Sequence, residues 1–388
     1  MRTEARPVLA GRHLKWTLEQ RQAKTGWMVH IDWLRFTVPL DAIVKREPAL
    51  VDLTALDLLE QSARDVVRMA AGVECAEYTS AHKVAEAGAR LIASLLDCGI
   101  EPGEALEKGM DFYSARAPLV FAGETVGFVL AGGKATTQSG TVHVNLFGSA
   151  MLHVPVDRLD GLREFLVAND GNITRVDLAL DVFEGRCIDE VRMAYLAGDF
   201  DVRGKRPGQR EIGSWTLGHS RTFEVGSRQT GKMMRAYEKG DEKLGPEADD
   251  PWIRYEVEFR DNHRIIDLDV LTRPSDFFAG AYEFCADMLE QLRVNANACR
   301  IPTVPEVADK TEEAAVLRVA RWIKRTAAPA LSVALSLGGD LLGQILDQEG
   351  HRMPKRLRGI KTDALRSAFE KVAEAMAPAS SPSLSGAV

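Results

Sequence analysis

Two segments of the chain alternate apolar and polar residues with the period of a β-strand, ITRVDLALDV at 173–182 and WIRYEVEFR at 252–260. Each has one apolar face and one charged face, which is typical of an antiparallel sheet covered on one side only. Shorter β-rich runs predict further strands at 28–38, 221–225 and 232–237, and glycine-punctuated hairpins within 113–150. An antiparallel sheet is therefore expected at the centre of the fold.

Apolar residues at helical spacing lie between and after these strands. They predict helices at 53–71, 84–96, 156–167 (with Asp157 as the N-cap), 188–196, 265–271, 277–292, 312–325, 331–346 and 362–376. The predicted fold class is α+β, a central antiparallel β-sheet with helices covering one face, plus a small C-terminal helical domain. Composition divides the chain into a polar N-terminal arm, a main domain, the helical C-terminal domain and a disordered tail, at 1–27, 28–300, 301–376 and 377–388.

Composition and charge narrow the class of protein. The 388 residues carry a net charge of −7 and five cysteines without a CxxC pair, which excludes a zinc ribbon and argues against a disulfide-stapled secreted scaffold. The first residues lack the apolar stretch of a signal peptide, so a cytoplasmic location is expected. Residues 201–240 carry a local net charge of +5. Such a patch can hold a phosphate backbone even on an acidic protein, although a solvated basic loop is the alternative.

The charged face of the two alternating strands carries four carboxylates, on Asp177, Asp181, Glu256 and Glu258. One interpretation is a ladder of carboxylates and arginines across neighbouring strands. The other is a metal site, and oxygen ligands without clustered histidines or cysteines favour Mg²⁺ or Mn²⁺.

Strand geometry limits the metal ligands. The two aspartates lie about 13 Å apart along the strand, too far for one ion, whereas the two glutamates lie about 6.6 Å apart and can converge. One aspartate with one or both glutamates is therefore the economical set. Asp177 is preferred because it lies in the middle of its strand.

Among the six tyrosines, Tyr237 has an unusual neighbourhood. Arg235 and Lys239 lie on the same face of its strand, so a phenol is flanked by two cations. Tyr255, by contrast, points to the apolar face of its strand. From spacing alone, a hydrogen-bonded surface tyrosine is the favoured interpretation of Tyr237.

Three motifs resemble the Rep-trans family of replication initiators, whose members start rolling-circle replication of plasmids and filamentous phages and are related to relaxases of conjugative elements. The run TFEVGSRQTGKMMRAYEKGDE at 222–242 resembles the family signature, while ITRVDLALDVFEG and WIRYEVEFRD resemble its two carboxylate strands, in the same order. Thr230 stands where serine is usual and Glu238 where aspartate is common. The likeness covers about 28–300.

The resemblance implies a metal-dependent nickase whose catalytic nicking domain is 28–300. Tyr237 would attack a phosphodiester of origin DNA, leaving a 5′-phosphotyrosine and a free 3′-OH for rolling-circle replication. Asp177, Glu256 and Glu258 would bind the metal. Arg235 and Lys239 would favour the phenolate and hold the phosphate, because a free phenol is protonated at neutral pH. A relaxase for conjugative transfer and a non-catalytic origin-binding protein are the alternatives.

An initiator also needs base-reading contacts outside its cleft. The predicted DNA-binding residues are Arg203, Arg206, Arg210, Arg228 and Arg254, the first three in a flexible loop. The basic stretch at 351–361 is a second candidate. The expected partners are origin DNA, single-stranded at the nick and duplex around it, and a host helicase and polymerase. A homodimer is left open.

Overall fold

The structure is a computed structural model that describes residues 11–46 and 80–304, except 134, 136, 137 and 139. The predicted helix at 53–71 lies outside the described residues. So do the basic stretch at 351–361, the tail, and all but the first four residues of the predicted C-terminal domain. No helix in the described part is long and apolar enough to cross a membrane.

Ten strands of the described residues form one sheet, in which every neighbouring pair is antiparallel. The strands are β1 (Val29–Pro39), β2 (Glu101–Pro102), β3 (Tyr113–Phe121), β4 (Glu124–Gly133), β5 (Thr141–Leu146), β6 (Asn172–Val182), β7 (Gln209–Ser214), β8 (His219–Ser227), β9 (Lys232–Glu238) and β10 (Ile253–Arg260). Their order is β2-β3-β4-β5-β1-β6-β10-β9-β8-β7. The N-terminal strand β1 therefore lies in the middle of the sheet and joins its two halves.

The helices of the described residues are α1 (Gly11–Thr25), α2 (Asp41–Val44), α3 (Ser80–Leu96), α4 (Gly148–Met151), α5 (Val156–Ala168), α6 (Ile188–Ala197), α7 (Lys239–Leu244), α8 (Pro274–Ala279) and α9 (Glu283–Gln291). Short 3₁₀ turns cover Arg228–Thr230, Pro246–Ala248 and Leu268–Leu271.

The core lies between the apolar face of the sheet and the helices that cover it. Phe36, Leu178 and Val257 are buried on this face of β1, β6 and β10. Helix α3 packs on β3 and β4, α8 on β1, and α6 on β8 and β9. At Gly88 of α3 an added Cβ would lie only 2.8 Å from Val129, so this glycine lets the helix approach the sheet closely. The predicted α+β class, with helices over one face of an antiparallel sheet, is confirmed.

Several local predictions were wrong. The stretch 277–292 is two helices, α8 and α9, because the backbone becomes extended at Tyr282, the N-cap residue of α9. Only a 3₁₀ turn forms within 265–271. Asp157 lies in the first turn of α5, and Pro155 occupies its N-cap position.

The N-terminal arm also differs from its prediction. Its residues 11–25 form helix α1, which is fixed to the remainder of the fold. Lys15 pairs with Asp250 at 2.8 Å, and the Gln22 amide donates to the backbone carbonyl of Asp181 at 3.0 Å.

Candidate active site

Tyr237 lies on β9 at the polar face of the sheet, directly between Thr222 of β8 and Arg254 of β10 in the strand register. Its hydroxyl accepts a hydrogen bond from the Lys239 ammonium at 3.2 Å and donates to Glu256 Oε2 at 3.4 Å. The structure therefore brings the predicted nucleophile together with one predicted cation and one predicted carboxylate.

Lys239 lies where β9 ends and α7 begins, and it is buried. Its ammonium also donates to Glu242 Oε2 at 2.9 Å, one turn along α7. Burial, and then Arg254, lower the pKa of Lys239, while the Glu242 carboxylate raises it. Glu242 thus helps to keep a charged amine beside the Tyr237 hydroxyl.

The Tyr237 phenol is strongly biased towards its protonated form. Burial raises its pKa well above the ordinary value, Arg254 opposes that shift, and the Glu256 carboxylate adds to it. Arg235, which was expected to favour the phenolate, is paired with Glu256 and also interacts electrostatically with Tyr237. Among the cations, Arg254 lowers the pKa of the phenol most.

The predicted metal ligands each receive an arginine. Asp177 accepts two hydrogen bonds from Arg175, at 2.8 and 2.5 Å. Glu258 accepts from Arg228 at 3.0 Å and from Arg260, and Glu256 accepts from Arg235. The arrangement is a ladder of carboxylates and arginines across β6, β10 and β9, the first of the two interpretations of the charged face.

These residues do not fit a metal ion as they stand. In the described ranges, no three His, Cys, Asp or Glu side chains are placed to share one ion. Electrostatic repulsion is nevertheless present. Burial raises the pKa of Asp177 to about 7, Arg175 opposes that shift, and Glu256 and Glu258 contribute to it. The arginines would have to turn away before two of these carboxylates could bind one cation.

A second charged cluster, which the sequence analysis missed, adjoins Tyr237. Asp181 is fully buried and accepts hydrogen bonds from Arg254 at 2.8 and 2.9 Å and from the Trp252 indole at 2.7 Å. Arg254 also donates to Asp32 of β1 at 2.7 Å. His30, buried beside these carboxylates, has a pKa lowered to about 4, chiefly by burial. Arg254, which was predicted to contact DNA, is a buried neighbour of the tyrosine.

A cavity of about 190 Å³ lies beside this cluster. His30, Asp32, Lys239 and Arg254 line it from the sheet side, and Leu14 and Leu18 of α1 line it as well. Helix α1 thus covers part of the polar face next to the tyrosine.

The other predicted DNA-binding arginines mostly have partners within the protein. Arg206 pairs with Asp201 at 3.0 Å, Arg210 with Glu224 at 2.6 Å, and Arg228 with Glu258. Arg203 lies in a tight turn with a positive φ of 52°. Strand β7 occupies part of the predicted flexible loop, so Arg210 belongs to a hairpin.

Fold and site together define an α+β protein with a tyrosine, a lysine and a carboxylate on the polar face of an antiparallel sheet. The family model of the Rep-trans proteins, described as a replication initiation factor, matches residues 171–348. That match confirms the resemblance carried by the three strand motifs. Over residues 171–348 the chain is therefore similar to the replication initiation factors of the Rep-trans family.

Among solved structures, the chain is similar to a rolling circle replication initiator protein from Geobacillus stearothermophilus. The two are 18% identical, the match covers 68% of this chain and 84% of the other, and the TM-score is 0.39. No curated protein sequence matches the chain.

Proposed function

We propose that this protein is a replication initiator that nicks one strand of origin DNA through Tyr237. The observation that carries the proposal is the position of the Tyr237 hydroxyl, between the Lys239 ammonium and the Glu256 carboxylate. A nucleophile within reach of a proton acceptor and a cation is the arrangement that attack on a phosphodiester requires. The site also lies within the region that matches the replication initiation factors.

In the proposed step, Tyr237 Oη attacks the scissile phosphorus. A new Oη–P bond forms and the P–O3′ bond breaks, so the 5′ side of the nick stays on the protein as a phosphotyrosine. The phenolic proton passes to Glu256, and the departing O3′ takes up a proton to become the free 3′-OH. The step is reversible because an aryl oxide is itself a good leaving group, so a DNA 3′-hydroxyl can later reclaim the phosphate.

The charges around Tyr237 indicate a role in the proposed reaction for each of its neighbours. The raised pKa of the phenol means that attack depends on proton removal as the bond forms, which is the role of Glu256. Arg235 holds Glu256 in position through its ion pair. Lys239 stabilises negative charge on the phenolic oxygen and on the incoming phosphate.

Metal dependence stays a prediction. Asp177, Glu256 and Glu258 are the predicted ligands of Mg²⁺ or Mn²⁺, but arginines pair with all three in this structure, so no step of the proposed reaction uses a metal. We also propose origin DNA as the partner, with a host helicase and polymerase acting after the nick, and a cytoplasmic location. A homodimer stays open.

Replacing Tyr237 by phenylalanine tests the nucleophile. The variant removes only the attacking oxygen, so we expect folding and DNA binding near those of the parent and no nicking of supercoiled origin DNA. Tyr255→Phe is the matched control. Tyr255 lies on β10 at the opposite, apolar face, and its hydroxyl has no hydrogen-bond partner among the described residues. Nicking by Tyr237→Phe at the parental rate would refute the assignment.

The same nicking assay distinguishes the proposed initiator from one alternative. If the protein binds the origin without catalytic activity, the parent protein itself will leave supercoiled DNA intact. A relaxase for conjugative transfer would use the same chemistry at Tyr237 and differ in the fate of the nicked strand.

A further inference from the structure

Three aromatic side chains lie next to one another on the polar face of the sheet, where charged and small polar residues are the rule. They are Trp33 of β1, Phe147 after β5 and Phe128 of β4, and each is partly exposed. The ring centroids of Trp33 and Phe147 are 4.9 Å apart, and those of Phe147 and Phe128 are 5.9 Å apart. The rings therefore form a continuous row across three neighbouring strands.

The strand register places this row on the catalytic face. Trp33 pairs with Asp177 of β6, and Asp177 pairs with Glu258 of β10. Phe128 pairs with Asn145, whose side chain accepts a hydrogen bond from the Trp33 indole at 2.8 Å. Strand β1 is three strands from β9, about 14 Å across the sheet at the usual strand spacing. The row thus begins next to the carboxylate ladder and leads away from Tyr237.

Arginines accompany the rings at both ends. The Arg175 guanidinium lies 4.9 Å from the Trp33 ring centre, and the Arg116 guanidinium lies 4.9 Å from that of Phe128. A third guanidinium, of Arg35, lies 5.9 Å from the Trp33 ring. Aromatic faces interleaved with arginines match the alternation of bases and phosphates in a single strand, because bases stack on rings and on guanidinium planes while the cations meet the backbone.

We propose that Trp33, Phe147 and Phe128, with Arg175 and Arg116, form a track that binds single-stranded DNA next to the nicking site by base stacking. Single-stranded DNA fits this surface better than duplex, because only an unpaired strand can turn its base faces onto side chains. The inference extends the proposed function by naming where the unpaired strand lies. It also adds a single-strand contact on a surface distinct from Arg203, Arg206 and Arg210, which the sequence predicted to contact DNA.

The test measures equilibrium binding of an oligothymidylate about 12 nucleotides long, which is within the usual site size of such surfaces. All proteins carry Tyr237→Phe, so that cleavage plays no part. Phe128→Leu keeps an apolar side chain of similar bulk but removes the flat ring. We expect it to weaken binding about 5-fold or more, within the range known for loss of one base–aromatic stack. Trp33→Leu should weaken binding at least as much, whereas Trp33→Phe, which keeps a ring, should restore most of the affinity.

Trp215 provides the matched control. It is also partly exposed and has two arginines near its ring, Arg192 at 5.7 Å and Arg221 at 5.5 Å, but it lies on the β7–β8 connection at the far edge of the sheet. Trp215→Leu should bind the oligothymidylate like the parent. Circular dichroism verifies that each variant is folded, and Phe128→Leu decides the question if Trp33→Leu does not fold.

Two outcomes overturn the track. One is parental affinity of folded Phe128→Leu for the oligothymidylate, and the other is an equal loss for a duplex of the same length, which would make the surface a general DNA contact. Neither outcome bears on Tyr237, because the nicking assay is separate. Conversely, retained nicking by Tyr237→Phe would reject Tyr237 as the nucleophile without affecting the conclusion about the binding track.

Discussion

Replacing Asp181 by asparagine should destabilise the fold strongly. Asp181 is fully buried, and its two oxygens accept three hydrogen bonds, two from Arg254 and one from the Trp252 indole. Asparagine keeps one oxygen, places an amide donor against the guanidinium, and leaves Asp32 as the remaining carboxylate partner of Arg254. Complete loss of the partner of a buried charge costs about 3–5 kcal/mol, so we expect a fall towards the lower end of that range in the free energy of unfolding.

Urea unfolding followed by tryptophan fluorescence at pH 7 measures the effect. The matched control is Asp201→Asn, which breaks the exposed ion pair with Arg206 and should cost about 0–1 kcal/mol. A cost for Asp181→Asn no larger than that of Asp201→Asn would show that the buried network is not what holds this end of the sheet.

Three further predictions concern the metal, the pH dependence and the hairpin. Glu256→Gln should abolish nicking because it removes the proton acceptor of Tyr237. The metal prediction requires that EDTA also stop nicking and that Mg²⁺ or Mn²⁺ restore it, and full activity in EDTA would reject the metal. The folded pKa of His30 is lowered to about 4 from an ordinary 6.5, so the unfolded chain binds its proton first. As pH drops from 6.5 to 4, the parent protein should therefore lose about 3 kcal/mol more of its free energy of unfolding than His30→Gln does, as measured by urea titrations of both. Joint alanine replacement of Arg203, Arg206 and Arg210 should reduce the preference for origin over random duplex, measured by binding curves at two salt concentrations. An equal fall in affinity for both DNAs would mean that these arginines make only an electrostatic contact.

The alternation of residues was enough to locate the catalytic strands. A period of two predicts which side chains of one strand share a face, so Glu256 could be placed with Glu258, and Tyr237 with Arg235, from spacing alone. That Tyr237 and the carboxylates belong to one site was implied by the family resemblance. The alternation does not predict which partner a long side chain pairs with. Arg175 and Arg235 lie on the same face as the carboxylates, and whether they pair with those carboxylates or leave them to a metal is decided by side-chain geometry that no spacing encodes.

Other features depend on contacts distant in the sequence. Asp32 looks like an interruption in an apolar strand, and its role emerges only when Arg254, more than two hundred residues later, lies beside it. Helix α1 has a single buried residue, Leu18, and too little apolar periodicity to be predicted. Lys15 and Gln22 fix its position. They bond to Asp250 and to the backbone carbonyl of Asp181, which are both far away in the sequence.

The central position of β1 limits how this protein can be divided. All strands that carry Tyr237 and the carboxylate ladder come from one contiguous stretch, 172–260, which looks like a self-sufficient module. Yet β6 hydrogen-bonds along its length to β1, from the other end of the chain. A protein shortened to that stretch would expose β6 as a bare edge with unpaired backbone groups, and such edges promote aggregation. Transplanting the nicking site into another protein would therefore require Val29–Pro39 to be carried with it.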